Sequence, residues 1–125
     1  MKKIPSCEDL INRFINGIEK TKNIDYADKN SVKRNNQGVD EYRKAAKQFS
    51  ELYPEQIEDF AILLKSDDIK TRQCAAICMV ELMNCSVEQR SRAFDVVKEY
   101  YKLHADSIER MMIKEWLKEH EFGIL

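Results

Sequence analysis

The ten residues from Cys74 to Met83, CAAICMVELM, carry a single charged side chain, Glu81. A stretch of this kind, set behind the polar, cap-like KSDD, predicts a helix over about 67–84 that is apolar around most of its circumference and so has to be buried on nearly every side. Ile69, Ala76, Cys78, Met79, Leu82 and Met83 are its packing residues, and the rest of the chain must be arranged around them. What surrounds it is helical as well. Three glycines and two prolines in 125 residues leave few places for tight turns, while Leu, Ile, Met, Ala, Glu, Lys and Gln are abundant. The expectation is an all-α fold.

Five further helices follow from apolar spacing. Leu10, Ile11, Phe14, Ile15 and Ile18 recur at three and four, with Glu8 and Asp9 at the positive end of the helix dipole, for a first helix at about 6–22. Val32, Val39, Tyr42, Ala46, Phe49 and Leu52 extend a stripe through the polar ADKNSVKRNNQG, which predicts a long second helix at about 26–53, with Gly38 as the place where it would break. Pro54 suits the first position of a short third helix carrying Ile57, Phe60, Ala61 and Leu64. Ser86 caps a fifth, with Ala93, Phe94, Val97, Tyr100 and Tyr101. A sixth, after HADS, carries Ile108, Met112, Ile113, Trp116 and Leu117. Short connections place successive helices antiparallel, so residues 54–84 and 86–120 read as two stacked hairpins within a single domain spanning 1–125. A chain of this length buries roughly two-thirds of its unfolded surface, enough for a self-sufficient core.

An internal repeat runs through the second half. Asp68 is followed four residues later by Arg72 and then by Ala75 and Ala76, and Asp106 is followed four residues later by Arg110 and then by Ile113 and Trp116. The two arginines lie 38 residues apart, within reach of the roughly 40-residue period of HEAT-type helical pairs; an ordinary ion pair at the start of each helix would give the same Asp-to-Arg spacing. SDDIKTRQCAAICMVEL resembles the second helix of a HEAT repeat at Asp68, Arg72, Ala75, Ala76 and Leu82. From about residue 39 onward the layout, closing on Lys114, Glu115 and Trp116, is similar to a small bacterial family of HEAT-like domains of uncharacterised function. The resemblance implies an α-α superhelix and no catalytic residues, and domains of this kind are similar to some toxin-immunity proteins. Thr71 departs from the valine usual in the HEAT pattern, and residues 28–38 have no counterpart in it.

No catalytic motif stands out. Cys74, Cys78 and Cys85 with Cys7, His104 or His120 would be needed for a metal site, but zinc sites set paired cysteines on turns, whereas these lie inside a helix and suit buried thiols. Nucleophilic catalysis would have to draw on His104 or His120, and neither sits in a motif. Paired carboxylates such as Glu58 with Asp59 point in different directions on a helix. The expectation is a protein that is not an enzyme and has no cofactor. No apolar run approaches the roughly 20 residues of a membrane span, and no apolar stretch follows the N-terminal lysines, so a cytoplasmic location with reduced thiols is expected.

Charge supplies the remaining signal. The formal net charge of -1 argues against nucleic acid as the partner. Between residues 51 and 68, Glu51, Glu55, Glu58, Asp59, Asp67 and Asp68 face only Lys65, and an acidic edge of this kind steers a basic protein toward it. The sequence therefore points to a non-enzymatic protein-binding module, most concretely an immunity protein that holds a basic toxin domain. The alternatives are a general interaction scaffold, or a nucleic-acid-binding repeat using Lys29, Lys33, Arg34, Arg43, Lys44 and Lys47 of the second helix.

Overall fold

A computed structural model describes residues 3–121. Among the described residues the chain is all-α, with six α-helices and no strand: α1 (Cys7–Glu19), α2 (Lys29–Leu52), α3 (Ile57–Ala61), α4 (Ile69–Glu81), α5 (Val87–Leu103) and α6 (Ser107–His120). Two 3-10 turns, Pro54–Gln56 and Ile62–Lys65, flank α3 and make it one irregular segment. The closing residues 122–125 of the expected domain lie outside the described residues.

The helices begin where short polar side chains accept the first free backbone N–H groups. Ser6 with Asp9, Ser86 with Gln89 and Asp106 with Glu109 form reciprocal capping boxes at α1, α5 and α6. Asp28 and Asp68 cap α2 and α4. At α4, Thr71 donates its backbone N–H at 3.2 Å and its hydroxyl at 2.6 Å to Asp68 Oδ2. A valine there would leave the second bond unmade.

The two most intimate pairs are α1 with α2 and α4 with α5. The first depends on two glycines. The long second helix expected from the sequence forms and runs unbroken through Gly38, which lies against Gly17 of α1. A Cβ on Gly17 would stand 2.7 Å from Gly38 O, and one on Gly38 would stand 2.4 Å from Gly17 O. The glycine is there to let two backbones touch.

An aromatic knot ties α1, α2 and α3 together. Phe14 meets Phe60 edge-on with ring centroids 5.0 Å apart, Phe49 meets Phe60 at 5.5 Å, and Tyr42 closes on Phe14 at 5.5 Å. Phe14, Phe49 and Phe60 are fully buried, and each contributes about 1.5–3 kcal/mol by leaving water. The helix α4 occupies the centre, in contact with α1, α2, α3 and α5. Its Cys74, Ala75, Ala76, Cys78, Met79 and Val80 are all buried, as its apolar circumference predicts.

The arginines of the internal repeat do not form ion pairs with the aspartates before them. Asp68 instead meets Lys22 at 3.1 Å. Each arginine reaches back to a carbonyl of the preceding segment: Arg72 to Ser66 O at 2.7 Å and Arg110 to Lys102 O at 3.5 Å. Arg90, four residues after the Ser86 cap, does the same to Val80 O at 3.0 Å. A cap followed four residues later by an arginine is thus a turn clamp used at α4, α5 and α6. It holds each helix start against carbonyls that would otherwise lack a donor.

The sixth helix differs most from its expected role. Ile113 is buried, and Trp116 and Leu117 pack against the core, but Ile108 and Met112, expected in the same packing stripe, are 69% and 67% exposed. Met111 is exposed beside them. The helix rests on its neighbours along one narrow line and turns a second apolar line outward. Among the described residues no helix is long and apolar enough to cross a membrane.

Candidate functional site

A cleft of about 300 Å³ opens where α2, α4, α5 and α6 come together. Its walls are aliphatic and aromatic: Ile77 from α4, Val97 and Tyr100 from α5, and Met112, Ile113 and Trp116 from α6. Arg43, Gln73, Glu81 and Glu109 supply its polar groups.

Glu81 organises the side toward α2. One carboxylate oxygen accepts from Arg43 at 2.9 Å and the other from the indole N–H of Trp116 at 2.7 Å. One residue of α4 therefore holds both α2 and α6, and the charges of Arg43 and Glu81 cancel within the cleft. The indole ring is set further by Phe94, with centroids 5.7 Å apart, and by His120 at 4.8 Å.

The side toward the start of α6 is built differently. Glu109 accepts the Tyr100 hydroxyl at 2.5 Å and the Asp106 backbone N–H at 3.3 Å. Among the described residues it has no cationic partner. Burial first, and then the hydrogen bond to Glu109 and its charge, push the Tyr100 phenol up to about 12. The Gln73 side-chain oxygen is buried with no protein donor in reach. Lys70 lines an adjoining depression with Gln73, Tyr100 and Glu109 and donates to Thr21 O at 2.9 Å.

The six acidic residues of 51–68 take different roles. Glu58 pairs with Arg92 and accepts from Gln89, both in the first turns of α5. Asp68 caps the start of α4 and meets Lys22 just beyond α1. Because α5 begins where α4 has ended, these two carboxylates are separated by about the length of α4, roughly 20 Å for thirteen residues. Glu51, Glu55, Asp59 and Asp67 are exposed. Glu51 belongs to α2 and Asp68 caps α4, so the run spans the end of one helix, the irregular segment and the start of another, and Glu58 and Asp68 are committed to ion pairs.

The basic residues of α2 are divided too. Arg43 turns into the cleft, Arg34 and Lys44 line a depression with Arg13 of α1, and Lys29 and Lys33 line another with Tyr26. Of the groups considered for chemistry, Cys74 and Cys78 are buried, and burial raises both thiols. Cys7 donates to Gln56 Oε1 at 3.0 Å. His104 lies beside Tyr100 at the end of α5. Among the described residues no three His, Cys, Asp or Glu side chains are grouped as metal ligands.

The cleft itself was not visible as a motif, since its walls come from four helices. Its traces in the sequence were the single tryptophan and the adjacent pair Met111 and Met112 in a helix with enough other apolar residues to pack. Comparison with family models, with curated proteins and with solved structures gives no match for this chain.

Proposed function

We propose that this chain is a non-enzymatic protein-binding module and, more specifically, an immunity protein that occupies a basic toxin domain. The observation that carries the binding reading is the outward apolar line of α6. Ile108, Met111 and Met112 are each about two-thirds exposed or more, and Met112 also lines the cleft. Apolar side chains grouped beside a cleft and rimmed by charge have the chemistry of a protein interface, and methionine adapts readily to a partner's contour.

The HEAT-like reading of the architecture is supported by the tie from α4 to α2 and α6, in which Glu81 accepts from both Arg43 and Trp116. The exposed carboxylates Glu51, Glu55, Asp59 and Asp67 add long-range attraction for a basic partner without forming the contact themselves.

The test is co-expression with toxins encoded beside the gene, read as growth. Neutralisation of one of them is expected, with protection lost in the Ile108→Glu, Met112→Glu double variant and helical circular dichroism unchanged. Failure to neutralise any, or full protection by the double variant, defeats the reading.

A further inference from the structure

Cleft and charge together specify what the partner presents. The cleft, about 300 Å³ in volume, has room for one long side chain. Its aliphatic part, formed by Ile77, Met112 and Ile113, suits a methylene stem, and its rings, Trp116 and Tyr100, suit a cation at the tip. Arg43 and Glu81 neutralise each other, which leaves the Glu109 carboxylate as the net charge of the lining. A neutral apolar side chain would fill the walls and leave Glu109 facing it without a counter-charge, at a desolvation cost. An anion would meet Glu109 directly.

Resting on the protein-binding reading above, we infer that the cleft receives an arginine side chain of the partner protein. Its guanidinium lies against Glu109 and the two aromatic rings, and its stem lies along Ile77, Met112 and Ile113. Arginine fits better than lysine because a planar fork can donate to a carboxylate and stack on a ring at once. The exposed Ile108 and Met111 then cover the apolar residues that flank this anchor, in the usual arrangement of a hot spot surrounded by contacts that exclude water.

The single tryptophan is the reporter. The full chain is titrated with an end-capped Leu-Arg-Leu peptide and with the same peptide carrying citrulline, which keeps the shape and removes the charge, while Trp116 emission is followed. The expected result is a saturable change with the arginine peptide and binding weaker by at least about fivefold with citrulline. In Glu109→Gln, which retains an acceptor for the Asp106 N–H and for Tyr100, that preference should shrink toward unity. Equal binding of both peptides overturns the arginine assignment and leaves an apolar docking cleft. No response to either peptide in a protein that still neutralises a toxin also overturns it, and shows that the partner binds elsewhere; loss of neutralisation itself belongs to the function reading and is measured separately.

Discussion

The indole N–H of Trp116 donates to Glu81 Oε2 at 2.7 Å, so that the last helix is tied to the central one through the same carboxylate that holds Arg43 of α2. Glu81→Ala removes one acceptor and leaves two donors half-buried without partners. The expected loss is about 1–3 kcal/mol in urea unfolding. Trp116 emission should also shift to longer wavelength as α6 loosens. Glu81→Gln, which can still accept from one donor, should lose less; equal losses for the two variants would show that packing, and not the bridge, holds α6 in place.

The contact between Gly17 and Gly38 gives a prediction of opposite sign to helix propensity. Replacing a glycine inside a helix by alanine raises helix stability by about 1 kcal/mol when nothing else changes. Here either alanine would push a Cβ into the backbone oxygen of the facing helix. Gly38→Ala and Gly17→Ala should therefore each cost a net of roughly 1–3 kcal/mol through overpacking. A raised melting temperature in either variant would show that the two helices can separate freely.

The arginine clamps should rank by geometry. Arg72 and Arg90 make bonds of 2.7 and 3.0 Å in partly buried surroundings, whereas Arg110 reaches its carbonyl at 3.5 Å on the surface. Truncation to alanine should cost about 1.5–3 kcal/mol at Arg72 and Arg90. At Arg110 the loss should be smaller, with the stacking on Tyr101 contributing part of it. An Arg110→Ala loss as large as that of Arg90→Ala would contradict this order.

These three relationships show what was legible in the chain and what was not. The helices could be read because each depends on residues within a turn or two of one another. Ser6 and Asp9, or Asp106 and Glu109, are capping signals three residues apart, and the stripe from Leu10 to Ile18 repeats at helical spacing. The role of Gly38 was hidden because it depends on Gly17, in another helix. The Asp68 and Arg72 spacing was visible, but the arginine's acceptor is Ser66 O and the aspartate's partner is Lys22, so an ion pair four residues apart was the wrong physical account of a real pattern. The acidic stretch was contiguous in sequence, but Glu58 and Asp68 serve ion pairs with different elements. The cleft was least legible, because Arg43, Ile77, Tyr100 and Trp116 come from four helices and no spacing joins them.

The buried thiols predict a loss of stability at alkaline pH. Burial pushes the Cys85 thiol from its ordinary 9.0 up to about 11, and it raises Cys74 and Cys78 as well. In the unfolded chain these groups lose their protons near the ordinary value, while the folded chain keeps them. The folded state therefore binds more protons above pH 9, and its stability falls as pH rises. The contribution is fully present below the unfolded value and is lost through the folded one. Tyr100, raised to about 12, extends the decline upward from the ordinary phenol value of 10.0. Urea midpoints should be level through neutral pH and fall between pH 9 and about 11. Cys85→Ala should make that fall shallower, whatever it does to the midpoint at neutral pH. Under native conditions Cys74 and Cys78 should resist alkylation while the less buried Cys7 and Cys85 react first. A midpoint that stays level through this window would mean that the thiols ionise as easily folded as unfolded, and the burial of Cys74 and Cys78 at the centre of α4 would have to be given up.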